Sequence, residues 1–210
     1  MNVYLYILNT VADWEYGFLL AELNSKRYFS HPKKDLKIIT VSNDKRPKTT
    51  MGGLKINPDI LIHEMCFSEE DFLILPGGDT WLEKENEEIL IKAKMLIDND
   101  MNVAAICGAT IGLAKHGALD SKLHTSSDKT YLKMICPEYK GEEFYKDDLV
   151  VNYKNLITAT GVAPVEFTRE VLRNLKVFSD ETLNNWYGLY DKKEAEYFFG
   201  LMKSLQIVTV

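Results

Sequence analysis

Cys107 stands where a six-residue apolar run, "MNVAAI" at 101–106, gives way to "GATIGLAK" at 108–115, whose Ile111, Leu113 and Ala114 suit one packed face of a helix. A cysteine at the joint between a strand and a helix places its sulfur beside backbone N–H groups that lack helical partners. The positive end of the helix then favours thiolate, the form that attacks carbonyl carbon or becomes oxidised. Ala105, Gly108 and Ala109 are small enough for a tight nucleophile-bearing elbow, with Cys in the place of Ser. The plainer reading is a cysteine packed as a small hydrophobe. It fits Cys66 in "HEMCFSEE" and Cys136 in "MICPEY", which have no strand-to-helix setting.

The other reactive residue types are sparse. Three cysteines at 66, 107 and 136 form neither a disulfide framework nor a paired zinc motif, and the four histidines at 31, 63, 116 and 124 lack HxxxH spacing. No metal and no cofactor are expected, and a reducing, cytoplasmic setting is. His116, just before Gly117, reads as a cation at a helix C-terminus. Trp14 either walls a pocket or packs into the core.

The elements that must position Cys107 follow from periodicity. Val3 to Leu8 reads as a strand covered on both faces, Glu15 to Lys26 as a helix with Phe18, Leu19 and Leu23 on one side, and 36–42 as a second strand. Asp13 suits the N-cap of that helix. Gly52 and Gly53 mark a small hairpin or extended excursion. "DFLILPGGD" at 71–79 is a buried strand ending in a Pro-Gly-Gly turn, followed by a helix over Glu87 to Asp98. Two strands joined through Asn152 to Asn155 come next, then a helix at 164–175 with Pro in its first turn. From Ser179 onward the pattern predicts one or two helices broken near Gly188 to Asp191. This alternation predicts an α/β three-layer sandwich with a mostly parallel central sheet, whose ligand site lies at the carboxyl ends of the strands.

At 210 residues and 46% hydrophobic content, one core and a single domain over 1–210 are expected, with 177–210 a C-terminal helical segment. A formal charge of −6 argues against a nucleic-acid partner. No window approaches the ~18 apolar residues of a membrane span, and the first residues show no targeting signal, so no membrane partner is expected.

Four stretches, "ADWEYGFLLAEL", "FLILPGGD", "AAICGATIGLAKHGALDSKLHTS" and "ATGVAPVEFTREVL", together resemble the ThiJ/PfpI family over roughly residues 1–176. The family shares the flavodoxin-like fold of class I glutamine amidotransferases. The resemblance implies a cysteine at the elbow, Cys107, approached by an acid from the first helix, Glu15. A carboxyl beside sulfur in a confined pocket is pushed toward its protonated form and can hydrogen-bond a thiolate. The resemblance further implies an oxyanion hole from Gly77 and Gly78 together with the amide of Gly108, and a homodimer. Glycine lets the backbone approach a substrate without a Cβ, and paired amides stabilise developing negative charge.

The chain also departs from the family. Protease-like members place His directly after the nucleophile, where this chain has Gly108; "SKLHTSS" offers Ser126 where other members carry a histidine, leaving His124 as the candidate general base. "GVAPVEFTRE" has no His for a glutaminase triad. The expectation is a cysteine-dependent hydrolase or lyase acting on a small carbonyl or amide compound, with peptidase and glutaminase chemistry disfavoured. The alternatives are a redox-sensing or stress-response protein using the same cysteine, and a fold relative without active chemistry.

Overall fold

The computed structural model describes residues 1–206. Its centre is a seven-stranded sheet in which β1 (Asn2–Tyr6) lies between β2 (Lys37–Ser42) and the middle strand β6 (Phe72–Leu75). β5 (Ile60–Leu61) lies outside β2; beyond β6 follow β7 (Asn102–Ile106), β9 (Leu156–Ala159) and the edge strand β8 (Val150–Tyr153). All neighbours are parallel except β8, which pairs antiparallel to β9. The central strands are apolar throughout because both faces are covered. Helices α1 (Asp13–Ser25), α5 (Pro164–Leu175) and α6 (Asp180–Asp191) pack together as one layer, and α2 (Glu87–Asp98) with α3 (Gly108–Lys115) forms the other. This is the three-layer arrangement the alternation predicts and the flavodoxin-like fold the resemblance implies.

The Gly52–Gly53 excursion is a hairpin of β3 (Lys48–Thr49) and β4 (Lys55–Ile56). Asp13 is the first residue of α1 rather than its cap, which is Ala12; the Asp13 carboxylate instead accepts the Gly52 amide at 2.6 Å and ties the hairpin to the helix. Short α4 (Lys129–Ile135), unforeseen from the sequence, starts at Asp128, whose carboxylate accepts the Tyr131 amide at 2.6 Å.

Ser179 caps α6 as expected, its hydroxyl accepting the Thr182 amide at 3.1 Å. The break before α7 (Ala195–Gln206) falls after Asp191, later than the sequence suggested. Gly188 lies within α6 at a packing contact, where a Cβ would lie 2.2 Å from the Tyr197 ring. The C-terminal helices are fastened to α1 by Trp186, whose indole N–H donates to buried Glu22 at 3.0 Å. Glu22 in turn forms a bidentate pair with Arg27.

Candidate functional site

β7 leads directly into Cys107, and the turns that follow its parallel neighbours β6 and β9 bring Gly77 and Gly161 beside it. Cys107 has φ 58° and ψ −126°, a conformation costly for a residue with a Cβ. It is fixed by its amide donating to the Ala159 carbonyl at 3.0 Å and by Thr110 Oγ1 donating to the Cys107 carbonyl at 2.6 Å. The backbone thus turns sharply into α3, and the half-buried thiol meets the Gly108 amide, the Ser127 hydroxyl and the Glu15 carboxyl.

Glu15 reaches the thiol from the first turn of α1 and is 1% exposed. Its Oε2 accepts the Gly77 amide at 2.5 Å, while Oε1 has no nitrogen or oxygen partner among the described residues and faces the sulfur. Burial pushes this carboxyl up to about 7, against the lowering effect of the Gly77 amide and the thiol. The protonation tendency expected of Glu15 therefore arises from desolvation first.

The thiol goes the opposite way from the thiolate expected at a helix start. Burial, and then the charge of Glu15, raise Cys107 to about 11, outweighing the hydrogen bonds from Ser127 and Gly108. Burial and the neighbouring carboxylate thus both favour the thiol over a free thiolate.

Glycine is required around this pair. A Cβ on Gly161 would lie 2.7 Å from Cys107 Sγ, and one on Gly77 would lie 2.5 Å from Glu15 Oε2 and 2.8 Å from the Cys107 Cβ. One on Gly108 would lie 2.6 Å from the Gly78 carbonyl oxygen. Gly161 closes the pocket from β9 and escaped the sequence reading; the "TGVAP" turn was its only signal.

Of the three glycines expected to donate to an oxyanion, Gly77 is committed to Glu15. The Gly78 amide has no acceptor among the described residues, and Gly78 and Gly108 both line the cleft in which Cys107 sits. That cleft measures about 380 Å³; Trp81, Leu82, Ile111 and Tyr131 supply its walls, Asp79 and Ser127 its polar side chains. Trp81 is held by its indole N–H donating to the Pro76 carbonyl at 2.8 Å.

His124 is not brought to Cys107. It is fully buried, with Nδ1 2.6 Å from the Lys122 carbonyl and Nε2 2.5 Å from the Tyr139 hydroxyl, and it packs edge-on against Tyr139 and Tyr145. Burial lowers its pKa. It holds the strap 124–127 in place, whereas Ser127, three residues on, carries the side chain that reaches sulfur. Ser126 faces inward, its hydroxyl 2.7 Å from that of Thr110.

The remaining candidates lie elsewhere. Trp14 is half exposed and lines a separate groove with Phe18, Arg27 and Tyr190. His116 Nδ1 sits 3.2 Å from the Gly112 carbonyl at the end of α3. Cys66 is exposed and Cys136 buried, neither in the cleft. Among the described residues no three His, Cys, Asp or Glu side chains are grouped to hold a metal, and no helix is long and apolar enough to cross a membrane.

The chain is similar to known proteins along most of its length. It is 49% identical over 204 residues to the uncharacterized protease YoaZ of Bacillus subtilis, covering 97% of each chain. It is 33% identical over 189 residues to the uncharacterized protease YdeA of the same organism, covering 88% of this chain and 90% of that one. Among solved structures, a ThiJ/PfpI family protein from Bacillus anthracis superposes with a TM-score of 0.93 at 48% identity, covering 97% of both chains. A DJ-1 superfamily protein from Agrobacterium tumefaciens gives 0.77 at 28% identity over 92% of this chain and all of that one. The sequence model of the DJ-1/PfpI family matches residues 1–174, and the chain accordingly belongs to that family.

Proposed function

We propose that the chain is a cysteine-dependent hydrolase or lyase acting on a small carbonyl or amide compound, with Cys107 as nucleophile and Glu15 as the group that takes its proton. The observation that carries this reading is the pairing of a strained, cleft-facing thiol with a buried carboxyl whose Oε1 has no other polar partner. With Glu15 poised near neutrality, its carboxylate receives the thiol proton as sulfur bonds to the substrate carbon. The substrate oxygen gains the electron pair and is met by the Gly78 and Gly108 amides. For an ester or amide, the protonated Glu15 gives its proton to the departing group as the oxygen's electron pair re-forms the carbonyl. Water then attacks the resulting thioester, Glu15 taking the water's proton and passing it to sulfur as the sulfur–carbon bond breaks and the acid leaves. For a carbonyl adduct, Glu15 protonates the oxygen, and the same steps in reverse order free the sulfur.

The named relatives are called proteases, but among the described residues no histidine lines the Cys107 cleft, and Glu15 is the group placed to protonate a leaving amine. That favours small, activated substrates over peptide bonds. The homodimer implied by the family belongs to the same reading; equilibrium sedimentation giving monomer mass throughout the micromolar range removes it. A redox-sensing or stress role for Cys107 competes; it draws on the same thiolate, so turnover rather than the state of the thiol separates the two.

The test is turnover by the full chain on a panel of dicarbonyls, activated esters and small amides, for wild type, Cys107→Ala and Glu15→Gln. Catalytic turnover lost in both variants supports the reading. Turnover untouched by Cys107→Ala, or only stoichiometric cysteine oxidation, overturns it.

A further inference from the structure

Among the described residues no cation lines the Cys107 cleft. Its charged side chain is Asp79, exposed in the turn that follows β6, and behind the sulfur stands the Glu15 carboxyl. Ser127, Tyr131 and the Gly78 and Gly108 amides are its uncharged polar groups, set against the apolar Leu82 and Ile111. The nearby lysines are turned elsewhere. Lys129, two residues from Tyr131, reaches toward Glu142 and over the Tyr145 ring. Lys84 and Lys115 line a different cavity behind Trp81 and Leu82, where Glu83 and Glu87 accompany them. An anionic substrate entering the cleft would approach Asp79 with nothing of opposite charge to receive it.

From this arrangement, and resting on the reading of Cys107 as nucleophile, we infer that the cleft selects uncharged or cationic electrophiles with an apolar arm and turns away carboxylates and phosphates, Asp79 being the specificity-determining residue. The two cleft amides do not reverse this preference. They suit one oxygen bearing charge that develops during reaction, whereas a substrate that arrives charged pays the repulsion of Asp79 before reaching them. The apolar arm would lie against Leu82 and Ile111, with Tyr131 at the exposed lip. The 380 Å³ cleft is of a size for a small molecule rather than a folded polymer.

The experiment uses three methanethiosulfonates of similar size, ammonium-bearing, uncharged and sulfonate-bearing. Each transfers its thioalkyl group to Cys107 with methanesulfinate leaving, and each rate is divided by that of the same reagent with 2-mercaptoethanol. Modification at Cys107 is followed by mass spectrometry in the full-length chain and in Asp79→Asn and Asp79→Lys, whose folding is checked by circular dichroism. The expected order is cationic, then neutral, then anionic. Across a water-filled cleft the Asp79 charge is worth about fourfold in the cationic-to-anionic rate ratio, so Asp79→Asn should lower that ratio about fourfold; the wild-type contrast shrinks in concentrated salt, and Asp79→Lys inverts it. Equal normalised rates for all three reagents, a preference for the anion, or ratios unmoved by either substitution overturn the inference while leaving Cys107 reactive. Failure of all three reagents at Cys107 overturns the nucleophile reading instead, and the substrate class with it.

Discussion

The Gly77 amide donates to Glu15 Oε2 at 2.5 Å, and that one bond fixes the roles of both residues. It turns Glu15 Oε1 toward the Cys107 thiol and removes Gly77 from the amides free to meet a substrate oxygen. Glu15→Gln keeps the acceptor for Gly77 but abolishes the carboxylate.

The charge of Glu15 raises the thiol, so Glu15→Gln should lower the pH at which Cys107 becomes alkylated. Iodoacetamide labelling at each cysteine, followed against pH, checks this. Wild-type Cys107 should label with an apparent pKa above the ~8.5 of an ordinary thiol, and the variant curve should move down. A shift upward on losing the carboxyl would mean that Glu15 acts mainly as a protonated donor to thiolate.

Glu15 also sets a pH dependence of stability. Its carboxyl moves from 4.5 to about 7 on folding, so the folded state holds a proton that the unfolded state has released between those values. Stability therefore falls as pH rises through that window, by on the order of 3 kcal/mol at full extent. Glu15→Gln should be more stable than wild type at pH 8 and close to it at pH 4; thermal melts at the two values would show a Tm gain confined to the higher pH. Equal Tm differences at both would place the effect in packing rather than in charge.

Gly161→Ala should push the thiol out of its seat, since the added Cβ would fall 2.7 Å from Cys107 Sγ and 3.1 Å from the Cys107 Cβ. Overpacking of this kind costs about 1–3 kcal/mol. Chemical denaturation should report that loss together with an altered labelling rate at Cys107; a stable variant with unchanged labelling would show that β9 yields easily.

His124→Gln should damage stability and spare chemistry. The imidazole bridges Lys122 and Tyr139 in a fully buried position, and losing a buried partner costs about 1–3 kcal/mol. Turnover per folded molecule should stay near wild type. A loss of turnover as deep as that of Cys107→Ala in a folded variant would return His124 to the reaction.

The fold and the elbow were legible because each rests on local pattern. Continuous apolar strands, the Pro-Gly-Gly turn and the small residues around Cys107 are visible one segment at a time. Gly161, Ser127 and the seven-residue α4 were not, because their importance comes from what β9 and the 124–127 strap bring across the sheet ends. The raising of the thiol, against the pull of the helix start, has the same origin. A helix N-terminus can be read from the chain, but burial and the approach of a carboxylate from ninety-two positions earlier, Glu15 to Cys107, depend on tertiary structure.

Helix α1 carries a second buried carboxylate, Glu22, two turns beyond Glu15 and therefore on the same face. Glu22 is matched by Arg27 and the Trp186 indole, whereas Glu15 meets no cation among the described residues. One acid is thus a fixed bolt and the other a movable proton store, mounted on a single rigid rod. The rod cannot roll to ease Glu15 away from sulfur without tearing Glu22 from its partners. The C-terminal helices, far from the cleft, thereby act as a brace on the alignment of the carboxyl with the thiol.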